Sequence, residues 1–339
     1  MSLKAVKDLH GFRLVSCSTG DMIDFAYLSK GLNAMARAHR MSSMAGHLGA
    51  SLITGYFISE QRVDLDPAVS KGIKDDLDRV IRGESVFGNR MSKKSPISDP
   101  ELFEPFAKEK PNESLIDDIA EGLSKSISHP RQSGHNIIFA SIAIRALKDH
   151  PDFATPSVVD GIRKLMTLFN TTHAGSGYYG KAKGRMSGNK ITIPDDDDTP
   201  NYMNLGDMAE TVLEELIAQR RDVHKQGYGG LVHIINHAAA IVTLSQLGYK
   251  ELVPKAIASH RKHLQLWRHL PNLVEELGPL KHSTFPPHDE GYWSDGTVPY
   301  DRALLTHRAK TMFGFDELAL ATEDKPLKKA AYEKLRLLM

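Results

Sequence analysis

The sequence has little cysteine and no marked excess of either charge. Cys17 is its single cysteine, so no disulfide can form within one chain, and we predict a reducing, cytoplasmic setting. Lys and Arg together number 43, Asp and Glu number 42, and the formal net charge is +1. This balance gives no strong field to attract nucleic acid or an anionic membrane surface, so we predict neither as a partner.

Long apolar runs are also missing. Lys4, Lys7 and Asp8 interrupt the first residues, so we expect no secretory signal peptide there. No stretch reaches the roughly 18 uninterrupted apolar residues that predict a membrane helix. Apolar residues nevertheless make up 41% of the chain, which is typical of a protein that folds around a buried core.

Strand patterns are rare in the sequence, whereas helix patterns recur. Lys190 to Pro194 alternates in polarity only briefly. Asp66-Pro67 and Thr155-Pro156 each place a capping side chain before a proline and an apolar stretch with helical spacing. We therefore predict an all-α fold of helical hairpins, forming an α/α toroid-like bundle around a central cavity, as one domain over residues 1–339. The predicted helices include residues 43–59, 134–149, 229–247 and 300–321.

Two segments are predicted to be irregular. Residues 84–112 contain several prolines with mixed charges, and we expect a loop-rich break there. Residues 278–299 are rich in prolines and aromatic side chains, and we interpret them as a lid that contains His288 and Trp293.

Histidine recurs at or near the start of apolar helical stretches, at His47, His135, His237 and His307. A neutral imidazole both donates and accepts a hydrogen bond, and its pKa lies near physiological pH. Such a group in one cavity can bind a metal, move protons or anchor a polar substrate. We predict that these four residues form a shared catalytic site. The alternative is that each histidine supports its own hairpin.

His233 and His237 are four residues apart, so both side chains project from one helix face. This spacing suits a transition metal with further ligands from elsewhere, but Ile234 stands where a metalloprotease has glutamate. The alternative is a pair of hydrogen-bonded histidines in a core. The glycine-rich turn Gln226 to Gly230 precedes them, and we place the substrate pocket beside it. The candidate substrate-binding residues are Tyr228, His233, Asn236, His288 and Trp293.

A second pair, His260 and His263, is three residues apart and followed by Trp267. Arg261 and Lys262 lie between the two histidines. This composition is typical of a basic helix face in contact with solvent, which is our prediction for this segment.

The stretch from Asn236-His237 to Leu247-Gly248-Tyr249 resembles a motif of the questin-oxidase-like family, in which an Asn-His pair opens a helix that ends in an A-L-x-x-L-G-A-type sequence. Gly134-His135-Asn136 begins a fainter copy with the order reversed. The resemblance covers about thirty residues and lies in the second half of the chain, whereas the family motif is expected near the start. It implies a helical protein, and the family's named member is an oxygen- and NADPH-linked enzyme that opens a quinone ring.

The histidine pattern favours an enzyme that acts on a small, largely apolar molecule in a histidine-lined cavity, and the resemblance implies the oxidoreductase class. A transition metal is one expected cofactor, and NADPH is the other that the resemblance implies, although no nucleotide-binding glycine fingerprint is found. The alternative is a non-catalytic helical scaffold that binds a protein or peptide, with an exposed apolar groove and widely separated histidines. The balanced charge is compatible with a homodimer.

Overall fold

The computed structural model describes residues 2–8, 11–17, 23–62, 64–88, 95–294 and 303–338, and the α-helix dominates these ranges. The α-helices are α1 Phe25–Arg37, α2 Gly46–Gln61, α3 Pro67–Ile81, α4 Asp99–Leu102, α5 Asp117–Ser124, α6 His135–Asp149, α7 Pro156–Leu168, α8 Leu205–Ile217, α9 Gly230–Gln246, α10 Val253–Arg268, α11 Val274–Leu277, α12 Glu290–Ser294, α13 Arg308–Ala319 and α14 Lys325–Lys334. The predicted all-α class is confirmed. None of the described helices is long and apolar enough to cross a membrane.

Two antiparallel hairpins add a small amount of strand. One pairs β1, Ser2–Asp8, with β2, Gly11–Cys17, in a register that sets Ser2 opposite Cys17. The other pairs β3, Ser176–Tyr178, with β4, Arg185–Ser187. Neither hairpin is predicted from the sequence, because Ala5-Val6 and Leu14-Val15 interrupt the alternation of polarity in β1 and β2, and β3 and β4 have only three residues each.

Four helices form the inner part of the fold. Helix α2 packs against α6, α6 against α9, α9 against α13, and α13 against α2, so the contacts close a cycle. Nearly every residue of α2 from Gly46 to Ile58 is buried, as is every residue of α9 from His233 to Leu244. A helix that is apolar on all sides has to be surrounded by protein, which explains why these segments lie at the centre.

The remaining long helices cover this inner group. Helix α1 packs against α2 and α7, α10 and α8 pack against α9, and α5 packs against α6 and α7. These helices are amphipathic, and several begin at a side-chain cap: Asp66 accepts from the N–H of Ala68, and Asn204 accepts from the N–H of Asp207. Close packing depends on small residues, since a Cβ at Gly49 would lie 2.5 Å from the carbonyl oxygen of Gly31.

The predicted limits are close to the observed ones for two of the inner helices, whereas the predicted 43–59 and 300–321 are observed as α2, Gly46–Gln61, and α13, Arg308–Ala319. The predicted helix 134–149 corresponds to α6, and the predicted helix 229–247 corresponds to α9. The predicted break at 84–112 contains the short helix α4, with residues 89–94 outside the described part. The predicted lid 278–299 contains α12, and residues 295–299 lie outside the described part.

Candidate functional site

Each of the four inner helices carries one histidine at its amino-terminal end. His47 is in the first turn of α2, His135 is the first residue of α6, His233 is in the first turn of α9, and His307 immediately precedes α13. Because the four helices contact one another in a cycle, these ends meet. The four imidazoles are buried, at no more than 6% exposure each, and lie on one side of the bundle.

The backbone fixes the protonation pattern of these rings. The Nδ1 atom of each ring contacts a main-chain carbonyl three or four residues earlier. His47 contacts Met44 at 2.9 Å, His233 contacts Gly229 at 2.7 Å, His307 contacts Ala303 at 2.7 Å, and His135 contacts Gln132. A carbonyl can only accept, so Nδ1 must carry the hydrogen. Each neutral ring therefore keeps a lone pair on Nε2.

The four Nε2 atoms converge. The distance from Nε2 of His135 is 3.0 Å to that of His47 and 3.0 Å to that of His233, and His307 Nε2 lies 3.3 Å from His233 Nε2. Because each neutral ring carries its hydrogen on Nδ1, neither Nε2 atom in any of these contacts can donate a hydrogen bond. Buried lone pairs that face one another without a donor are unfavourable, so the arrangement calls for a cation among them.

A proton is poorly suited to that position. Burial, and next the nearby Lys310 amine, lower the pKa of His47 well below 6.5. Burial likewise lowers the pKa of His307, and it lowers that of His233 to about 3. Burial also lowers the pKa of Lys310 well below its usual 10.5, which favours the uncharged amine. The site therefore resists a proton on any of these nitrogens at neutral pH.

The spacing of the nitrogens fits a metal ion. Nitrogens bound at about 2.0–2.1 Å to one metal lie about 2.9 Å apart at a right angle and about 3.4 Å apart at the tetrahedral angle. The observed separations of 3.0–3.3 Å fall within this window. The ligand atoms of His47, His135 and His233 lie within 4.8 Å of one another, and His307 extends the group beside His233. Imidazole ligands suit zinc, copper, iron and nickel.

A cavity of about 900 Å³ opens onto the four imidazoles. Its wall includes Phe87, whose ring stacks on His47 at a centroid distance of 3.9 Å. The turn from Gln226 to Gly230 forms another part of the wall, with the buried Tyr228. Cavities of this size commonly hold small ligands. The cavity lies beside the glycine-rich turn, as predicted.

The structure brings together His47, His135 and His307 as predicted, but it places His233 with them instead of His237. His237 lies one helical turn further along α9, where its Nδ1 is 3.1 Å from Nδ1 of His263. The predicted metal pair of His233 and His237 is therefore corrected, because His233 groups with His47 and His135. The two residues do project from one helix face, but about 6 Å of helix separates them.

The other predicted substrate-binding residues divide between two places. Tyr228 and His233 lie on the cavity wall. Asn236 faces a separate small cavity of about 10 Å³, room for one water molecule, which Lys310 also lines. Its Oδ1 atom is buried and has no hydrogen-bond partner among the residues that the structure describes.

His288 and Trp293 are not among the described residues that line the large cavity. The Nε2 atom of His288 lies 3.4 Å from Oδ1 of Asp316. Trp293 donates its ring N–H to the carbonyl of Pro287 and covers Gly72 on α3. These contacts hold the two residues against α3 and α13, and residues 295–299 of the predicted lid lie outside the described residues.

The sequence analysis missed two features near the site. His260 and His263 are fully buried, so the predicted solvated basic face is wrong for them. The charged residues beside them led to the wrong prediction, because one face of this helix is charged and the other is buried.

Lys310 was not predicted as a site residue. A lysine between Ala309 and Met312 in an apolar helix is unusual, and this signal could have pointed to it. No salt bridge joins Lys310 to a carboxylate within the described ranges, and burial is the only cause of its lowered pKa.

Comparisons with protein-family models, with curated proteins and with solved structures gave no match to this chain. The function therefore has to be inferred from the geometry of the site.

Proposed function

We propose that this chain is a metal-dependent enzyme that holds one transition-metal ion on His47, His135, His233 and His307. One observation carries the proposal: each Nδ1–H is bonded to a carbonyl, so the Nε2 lone pairs of consecutive rings in the series His47, His135, His233, His307 face one another across 3.0–3.3 Å. Metal ligands of this kind commonly have their other ring nitrogen bonded to a carbonyl or carboxylate, which fixes the ring and its tautomer.

We further propose that the reaction is an oxidation of a small, largely apolar molecule. Neutral imidazoles leave the charge of the metal uncompensated, and they suit redox-active iron and copper. The cavity gives a substrate access to the metal position, and Phe87 and Tyr228 supply aromatic wall. The resemblance to the questin-oxidase-like family supports the same reaction class, with dioxygen as oxidant and NADPH as a diffusible reductant.

The competing scaffold proposal predicts separated histidines and an exposed apolar groove. The convergence of four imidazoles favours the enzyme. Exposed large apolar residues such as Phe25, Met203 and Leu320 lie in separate segments of the chain, at the start of α1, before α8 and after α13, which does not favour a peptide groove. The cycle of contacts among α2, α6, α9 and α13 supports the toroid-like arrangement, which we retain as part of the proposal together with a cytoplasmic location.

Metal titration of the chelator-treated protein tests the metal centre. We expect about one equivalent of Fe(II), Co(II) or Zn(II) per chain, with proton release too small to measure, because the ligands are already neutral. His135→Ala should weaken affinity by more than the roughly 10–100-fold typical of second-shell changes. His173→Ala is the matched control, since His173 lines the same cavity but is exposed. Binding far below one equivalent by the parent protein would refute the proposal.

Oxygen uptake tests the reaction class. The Fe(II)- or Cu(II)-loaded protein should consume dioxygen when quinones are supplied with NADPH, and the His135→Ala variant should not. Uptake that is the same in the metal-free protein would exclude a role of the metal in the reaction.

A further inference from the structure

The turn that precedes α9 has an unusual backbone. Gly227, Tyr228, Gly229 and Gly230 have φ values of +159°, +49°, +73° and +67°. Tyr228 is the one residue of the four with a side chain, and L residues rarely adopt such φ values. Neighbouring groups must therefore hold this conformation in place.

Two hydrogen bonds hold the peptide groups of Tyr228. Its N–H donates to the carbonyl of Ser176 at 2.9 Å, and its carbonyl accepts from Nε2–H of His263 at 2.8 Å. His263 is on α10, is not among the described residues that line the cavity, and is fully buried. The imidazole of His263 thus fixes the direction of the Tyr228 carbonyl from outside the cavity.

The same turn orients one of the four converging rings. The carbonyl of Gly229, the next one along the chain, accepts from Nδ1–H of His233 at 2.7 Å. No side chain fits at Gly229, because a Cβ there would lie 2.2 Å from Cγ of His233. The orientation of one carbonyl relative to the next is set by the backbone dihedral angles between them. A rotation at Tyr228 would therefore also turn the Gly229 carbonyl away from His233.

His237 completes this chain of contacts. Because His263 uses its Nε2–H on Tyr228, its Nδ1 carries a lone pair and accepts from Nδ1–H of His237 at 3.1 Å. His237 therefore holds the ring of His263 by its second nitrogen. This accounts for a buried histidine that does not reach the cluster.

We propose that His263 is a positioning residue for the metal ligand His233, acting through the turn at Tyr228 and Gly229 and held in place by His237. The proposal deepens the proposed function and rests on it for the identity of the ion. It assigns a role to a histidine that does not line the cavity.

Substitution of His263 with Co(II) as probe tests this inference. His263→Leu removes the donor, His263→Gln keeps a side-chain N–H, and His260→Leu is the matched control. His260 is on the same helix and fully buried, but its Nε2–H donates to the carbonyl of Ile234 within α9. We expect His263→Leu to weaken Co(II) affinity by about 10–100-fold and to alter the visible absorption bands. His263→Gln should recover most of both, and His260→Leu should change neither.

The inference would be overturned if His263→Leu bound Co(II) with the affinity and the visible absorption spectrum of the parent protein. If His263→Leu does not fold, His263→Asn takes its place, because its shorter side chain cannot carry an N–H to the Tyr228 carbonyl, and parental Co(II) affinity in His263→Asn would overturn the inference as well. A parent protein that binds no Co(II) would refute the proposed function, and the positioning role is then decided by ¹⁵N NMR of the His233 ring. Loss of the pure Nδ1–H tautomer in His263→Leu or His263→Asn supports the role, and an unchanged tautomer in that variant refutes it.

Discussion

Two adjacent glycines at the start of α9 allow the effect of backbone conformation to be separated from the effect of ring position. Gly229 and Gly230 have nearly equal φ values, +73° and +67°. A Cβ at Gly230 would meet no atom within 4 Å, whereas a Cβ at Gly229 would lie 2.2 Å from Cγ and 2.3 Å from Nδ1 of His233. Alanine at either position therefore imposes the same backbone strain, but only Gly229→Ala forces the ring of His233 to move.

The expected magnitudes follow from these distances. Left-handed backbone costs an alanine about 1–2 kcal/mol relative to glycine, so Gly230→Ala should lose about that much free energy of unfolding. Gly229→Ala carries the same cost plus about 1–3 kcal/mol for overpacking against a buried ring, or about 2–5 kcal/mol in all. Urea denaturation of the metal-free variants, followed by circular dichroism, measures both values.

Metal binding gives the sharper contrast between the two variants. Gly230→Ala should bind Co(II) with parental affinity, while Gly229→Ala should lose affinity because His233 no longer reaches the other three nitrogens. Equal affinities in the two variants would refute the argument that His233 is held at a single position by its turn. A larger loss of stability in Gly230→Ala than in Gly229→Ala would refute the steric argument itself.

Two further predictions concern buried ionisable groups. In the metal-free protein, Lys310→Met should raise stability at neutral pH, because burial disfavours the charged amine of Lys310 in the folded state. The difference from the parent should shrink as the pH rises toward 10.5. Burial raises the pKa of Asp316, but the contact with His288 and the hydrogen bonds from Arg62 outweigh it and leave the pKa below 3.8. Asp316→Asn should therefore destabilise the protein at neutral pH, and its deficit should disappear as the pH falls through that lowered pKa. Unfolding free energies measured across pH check both, and a Lys310→Met difference that grows with pH, or an Asp316→Asn deficit that persists in acid, would contradict them.

The amino-acid pattern predicted α6 and α9 well because they are long and strongly apolar. Residues 134–149 and 229–247 were placed to within a residue at either end, since Gly134 and Gly229 mark where each helix can begin. The hairpins were not predicted, because the sequences of β1 and β2 do not alternate strictly in polarity and β3 and β4 have only three residues each. The lid prediction for His288 and Trp293 rested on composition alone, and composition does not specify which surface a loop covers.

The sequence by itself determined that the chain is helical and that histidines stand where apolar helices begin. Local backbone geometry follows from that, since a histidine in a first turn finds a free carbonyl three or four residues earlier. Only the tertiary structure decided which imidazoles meet. His233 and His237 share a helix face, so their spacing in the sequence cannot tell which of them reaches the other histidines. The two are four residues, or about 6 Å, apart along α9, and this places His233 among the cavity histidines and His237 against His263. That choice is made by the packing of α6, α10 and α13 around α9, which no local pattern specifies.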